Sequence, residues 1–209
     1  RGHAMTAVKL GDVNAPQHAV IGSCNTVAVY HVGLLAEKVR VTTGQASVHH
    51  MGPPMELPGQ IDSHVAGWLD DLSDDERTGI DDWLAEVRTR LDAGLLRGFA
   101  AYVAAPSVVR DTSTGRMIAV RYSCAGFVAE AYREGAGVTL VVDDGVLPAA
   151  ERDLLERVWG VREVRAGARF GLEGLGPWRV LLPGYLLHAM RAGRTALPYS
   201  PSLADALFP

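Results

Sequence analysis

Cysteine is scarce in this chain: Cys24 and Cys124 are the only two in 209 residues. So few thiols exclude a disulfide framework as the basis of the fold. The absence of any Cys-x2-Cys, His-x-His or His-x3-His pair removes the usual zinc spacings. No run of about eighteen apolar residues occurs, so no membrane-spanning helix is expected. Charge of one sign is lacking too: 20 Lys and Arg stand against 24 Asp and Glu, a net charge of −4. That balance argues against nucleic acid or an anionic lipid surface as the main partner. The cluster Arg157, Arg162, Arg165 and Arg169 is read as solvated surface. There is no internal repeat, no low-complexity tract and no secretory leader pattern at the start, so the cytoplasm is the expected compartment.

What remains is an ordinary globular composition, 48% apolar and 21% charged, enough to bury one core. Strand character runs from Thr26 to Glu37, then from Val39 to Thr43 and Gln45 to Met51, with Gly44 as the turn. Gly52-Pro53-Pro54 and Pro58-Gly59 interrupt the pattern. Ser73-Asp74-Asp75-Glu76 has the form of a capping box and predicts a helix past Trp83, Leu84, Val87 and Leu91 to about Leu96. Strands follow at Phe99–Val103, Met117–Tyr122 and Val138–Val142. A helix from Pro148 through Trp159 and a short one over Tyr185–Arg191 complete the pattern. The order of elements predicts an α+β fold, with a core over residues 5–147 and a C-terminal extension over 148–209 packing on it.

Cys124 carries the most chemical information. It stands where a strand ending at Tyr122 runs into a helix with apolar spacing at Phe127, Val128, Ala131 and Tyr132. A thiol there meets unpaired backbone N–H groups and the positive end of the helix dipole, both of which favour thiolate. A free thiol of pKa ~8.5 is only about 3% ionised at neutral pH, so the expected gain in reactivity is large. His31 lies within a strand, and Gly33, on the same face, lets another element approach closely. His49 and His50 end a later strand and point to opposite faces, so only one of them can meet His31. Cys24 sits in a loop entering a strand and is read as structural. A metal site from His31, His49 or His50, His64 and an acid is the competing arrangement.

These segments fall in a telling order: Leu10-Gly11-Asp12-Val13, Tyr30-His31-Val32-Gly33, Val48-His49-His50-Met51-Gly52-Pro53-Pro54, then Cys124 with Phe127-Val128. Over roughly Leu10 to Arg133 the chain resembles the circularly permuted papain-like cysteine enzymes, the lecithin–retinol acyltransferase type and its bacterial NlpC-type relatives. Ser123-Cys124-Ala125-Gly126-Phe127-Val128 is closer to the peptidase style, Cys-Ser-Gly-Phe-Val, than to the acyltransferase style, Asn-Cys-Glu-His-Phe-Val. The interval from His31 to His50 is longer than in those families. The resemblance implies an antiparallel sheet packed on helices, with a catalytic cysteine at a helix N-terminus. It further implies a thioester acyl-enzyme formed by Cys124, His31 as base and His50 as orienting residue, with His49 the alternative to His50.

No cofactor is implied. The substrate would be a peptide, another amide or an acyl lipid, and the apolar tail (Trp178, Val180, Leu181, Leu182, Tyr185, Leu186, Leu187) would either line an acyl pocket or fill the core. The Cys124 backbone N–H, with Tyr30 or Tyr122, would hold the oxyanion. Histidine before cysteine separates this reading from unpermuted papain-like order; His188 follows Cys124 but lacks the His-x-Gly strand. A non-catalytic binding or scaffold domain of the same fold is the alternative from another class.

Overall fold

The computed structural model describes residues 13–41, 44–52, 55–100, 107–143, 145–167 and 171–207. The Leu10-Gly11-Asp12 element, Thr42-Thr43, Pro53-Pro54, residues 101–103 and Arg169 lie outside them. In chain order the first part forms β1 (Val13–Ala15), β2 (Val20–Cys24), β3 (Val29–Leu35), β4 (Val39–Val41), β5 (Gly44–Met51), β6 (Met55–Ser63) and β7 (Val65–Gly67). Five of these make an antiparallel sheet in the order β6-β5-β3-β2-β7, while β1 pairs with β4. Alternation along β2 and β3 sends Val20, Val32 and Leu34 into the large core and Ile21 and Leu35 into a smaller cluster with Ala15, Ala19, Ala46, Val48 and Ile61.

Helices cover the first of those faces. The second part forms α1 (Asp74–Asp92), β8 (Gly98–Ala100), β9 (Ser107–Arg110), β10 (Met117–Tyr122) and α2 (Cys124–Glu130). A π-helical turn, Ala131–Gly135, continues α2. Then come β11 (Ala149–Ala150), α3 (Arg152–Trp159), α4 (Val161–Arg165), β12 (Trp178–Arg179) and α5 (Pro183–Ala192). β10 is the middle strand of a three-stranded sheet, parallel to β8 and antiparallel to β9. The protein is thus α+β. Among the described residues no helix is long and apolar enough to cross a membrane.

The α1 start follows local sequence closely: Ser73 Oγ accepts the Glu76 N–H, and Glu76 returns a bond to the Ser73 N–H. Elsewhere tertiary packing redraws the expected elements. β3 begins only at Val29, because Asn25 Oδ1 accepts the N–H groups of Val27 and Ala28 and folds the preceding residues into a turn. β6 runs straight through Pro58 and Gly59, where a break was expected. The register slips between Val48 and His50 at that point, and such a bulge tolerates a residue with no N–H to donate. Val138–Val142 forms no strand; only Val141 makes an isolated parallel bridge, to Tyr199. Helix α3 starts after Glu151 rather than at Pro148, because Ala149–Ala150 pairs with β12 first.

The C-terminal part is not a loose appendage. Leu155, Val158, Val180, Leu181, Leu182, Tyr185, Leu186 and Leu187 belong to the same buried cluster as Val32, Phe127 and Val128. Each such side chain stabilises by about 1.5–3 kcal/mol when fully removed from water. The apolar tail therefore fills the core, with Trp178 at its edge.

Candidate active site

Cys124 opens α2, and the sequence explains how it is held there. Ser123 is extended (φ −81°, ψ 163°) and its Oγ accepts the Gly126 N–H at 2.8 Å, capping the helix. Such a cap is worth about 1 kcal/mol. One turn on, Phe127 is fully buried between Trp83 (5.4 Å between ring centres) and Tyr122 (5.7 Å, edge to face). The cap and this aromatic anchor fix the first turn, and they leave Cys124 half-buried with its sulfur near the Val32 backbone N–H, one residue beyond His31.

His31 and His50 meet directly. His31 Nε2 lies 3.0 Å from His50 Nδ1, with the rings at 87° and their centres 5.0 Å apart. β3 and β5 pair at Leu34–His49 and Leu35–Val48, so alternation puts Gly33 across from His50 and His49 on the other face. Gly33 is what allows the approach: a Cβ there would sit 2.9 Å from His50 Cβ and 2.8 Å from Val48 Cγ2. The two adjacent histidines are thereby separated. His50 joins His31, while His49 turns toward His18, Asp81 and Arg88.

Electrostatics differ from the expectation of a thiolate. Burial pushes the Cys124 thiol up to about 11, against the opposing pull of the Val32, Ala125 and Cys124 N–H groups. Burial and then the neighbouring His50 draw His31 down to about 4. At neutral pH the resting site holds a neutral thiol and a neutral imidazole. α2 has only seven residues before the π turn, so its terminal N–H groups do not offset the loss of water around sulfur.

The other candidates lie apart. Cys24 is pushed up to about 12 by burial, and its N–H donates to His64 Nδ1 at 3.2 Å. His64 is therefore engaged at Cys24 rather than beside His31 and His50. Among the described residues no group of three or more His, Cys, Asp and Glu could hold a metal ion. His188 stacks on Tyr199, 6.4 Å between ring centres, with Nδ1 3.7 Å from Asp205. Burial, and then the Glu130 and Glu134 carboxylates at the far end of α2, push the Tyr122 hydroxyl upward. Tyr30 is half-buried, and its carbonyl accepts the Trp159 Nε1–H at 3.2 Å.

Glu56 is a residue that reading the sequence missed. Its Oε2 stands 3.4 Å from His50 Nε2. Taking Gly52-Pro53-Pro54 as a tight hairpin turn pairing Met51 with Met55 would have put Glu56 opposite His50, as the register has it.

Five histidines (His18, His31, His49, His50 and His188) have pKa values lowered mainly by burial, with His31 and His49 both near 4. As pH falls below about 6.5 the unfolded chain takes up protons that the folded chain refuses, so the histidines' contribution to stability declines between about 6.5 and 4. Glu76, held down to about 2 by Arg194, acts in a lower window. The melting temperature is expected to drop by at least roughly 5 °C from pH 7.5 to pH 5, read by circular dichroism. A flat profile over that range would show these imidazoles to be solvated.

Comparison with protein-family models, with curated proteins and with solved structures gives no match to this chain.

Proposed function

We propose that this protein is a cysteine hydrolase of the permuted papain-like kind, acting through a thioester acyl-enzyme. Two observations support the reading: the His31–His50 hydrogen bond, and a helix-opening Cys124 whose sulfur adjoins the N–H of Val32, the residue after His31. In papain-like chemistry the imidazole uses one nitrogen toward an orienting residue and the other toward sulfur. The bond from His31 Nε2 to His50 leaves Nδ1 for the thiol.

Because both groups rest neutral, proton transfer accompanies attack. His31 Nδ1 takes the S–H proton as sulfur bonds to the carbonyl carbon and the π electrons move to oxygen. The tetrahedral oxyanion is held by the Cys124 N–H, with the Tyr30 hydroxyl as the candidate side-chain donor. Collapse breaks the bond to the amine or alcohol, which leaves with the proton from His31. Water then gives a proton to His31 and adds to the thioester; the acid departs and the thiol is restored. His50 keeps the imidazole in one tautomer and orientation.

The Cys-Ala-Gly-Phe-Val run favours amide or peptide substrates over acyl lipids, and so does the burial of the apolar tail within the core. A second reading, a non-catalytic binding domain, is favoured by the upward-shifted thiol and downward-shifted imidazole. Intact-mass labelling with iodoacetamide separates the two. The enzyme reading expects Cys124 to alkylate at least about tenfold faster than Cys24 at pH 7.5. Slow labelling of both thiols at equal rates would favour the binding domain.

A further inference from the structure

We propose that Glu56 is a positioning residue that sets the tautomer of His50 and, through it, that of His31, so that the His31 lone pair lies on Nδ1. The catalytic consequence rests on the cysteine-hydrolase reading, but the tautomer assignment does not.

Three observations converge on this. The hairpin register, with Met51 paired to Met55, places Glu56 directly opposite His50 on β6, and the shift just beyond it brings Gly59 opposite Val48. Gly59 clears the space between them: a Cβ at that position would lie 1.9 Å from Glu56 Oε2 and 2.7 Å from His50 Nε2. Finally, His50 Nε2 is buried without a hydrogen-bond partner among the described residues, and Glu56 Oε2 stands 3.4 Å from it. A buried ring nitrogen aimed at a carboxylate has a strong reason to carry the proton.

The rest follows from counting hydrogens. A carboxylate only accepts, so it selects the Nε2–H form of neutral His50 and leaves Nδ1 as a lone pair. One hydrogen lies between His50 Nδ1 and His31 Nε2, 3.0 Å apart, and it must then belong to His31. Neutral His31 carries a single ring hydrogen, so its Nδ1 is unprotonated and can act as a base. Reverse the tautomer of His50 and His31 would carry its hydrogen on Nδ1, where it could not accept one from sulfur. The Glu56 side chain is about half exposed, at 48%, so its influence works through a partly solvated contact and is graded rather than absolute.

The experiment is long-range proton–nitrogen correlation NMR of the histidine rings at pH 7.5 in 15N-labelled protein, with His31 and His50 assigned from His→Gln variants. Both rings of the unaltered protein are expected as Nε2–H forms. In Glu56→Ala the two rings should shift toward mixed tautomers, and Cys124 alkylation should slow by about three- to tenfold. Glu56→Gln keeps an acceptor oxygen and is expected to restore most of both. Nδ1–H at His31 in the unaltered protein, or tautomers unmoved by Glu56→Ala, would overturn the proposal. A tautomer shift in a protein whose Cys124 is no more reactive than Cys24 would support the role of Glu56 while removing the hydrolase reading. His31-dependent labelling that is indifferent to Glu56→Ala would do the reverse. Because Glu56 is at the surface, unchanged melting temperatures should accompany each variant.

Discussion

Replacing His31 with alanine is expected to slow alkylation of Cys124 by about 10²-fold or more at pH 7.5, with Cys24 unaffected. General-base assistance contributes typically about 10²–10⁴ to a step that moves a proton, and this thiol depends on it heavily. Left to itself, a thiol at about 11 is almost entirely protonated at neutral pH. The Val32, Ala125 and Cys124 N–H groups stabilise charge on sulfur, yet burial outweighs them. His31, drawn down to about 4, is neutral and able to accept across the whole range from about pH 5 upward. The pH profile should therefore be broad in the unaltered protein and steep in the variant, where only hydroxide remains to remove the proton. Cys24, at about 12 and bonded through its N–H to His64, serves as the internal reference in the same spectrum. Identical Cys124 rates with and without the imidazole would mean that the two groups do not exchange a proton.

A second large effect is expected from Gly79→Ala, where helix propensity alone predicts a gain of about 1 kcal/mol. The structure reverses the sign. A Cβ on Gly79 would lie 2.0 Å from the Gly135 carbonyl oxygen, and one on Gly135 would lie 2.6 Å from Ile80 Cα. Here α1 meets the π turn that continues α2, backbone against backbone, with no side chain able to swing aside. Overpacking at such a crossing should cost about 2–4 kcal/mol, a fall in melting temperature of roughly 5–15 °C for a domain this size. Gly145, with nothing within 4 Å among the described residues, is the control, and Gly145→Ala should change stability by less than about 0.5 kcal/mol. Equal melting temperatures for the two variants would mean that α1 and the π turn do not touch in solution. The point bears on the site, because the same α2 that packs here carries Cys124 at its other end.

The signals legible in the sequence were those that act within a few residues. Ser73 and Glu76 cap α1 because the bonds close within one turn. The apolar spacing at Phe127 and Val128 similarly marked α2 after Cys124, whereas the Ser123 cap came only with the structure. The pairing of a strand histidine with a glycine two residues on was readable, since Gly33 is where β5 comes close. Choosing between His49 and His50 was not, because it depends on whether Gly33 or Leu34 faces them across the ladder. Nor was β6 legible: Pro58 and Gly59 look like breakers until a bulge in the pairing gives each a place. The protonation states were hidden most deeply. A helix N-terminus argues for thiolate from local structure, whereas desolvation is a property of everything packed around it, including a C-terminal segment that shares the core.

The most direct test of a nucleophilic cysteine is to trap its acyl intermediate. Incubation with p-nitrophenyl acetate followed by rapid acid quench and peptide mass mapping should place a single acetyl group on Cys124, transient in the unaltered protein and absent from Cys124→Ala and His31→Ala. Acetylation confined to Cys24 or to lysines, with Cys124 unmodified throughout the time course, would contradict the account.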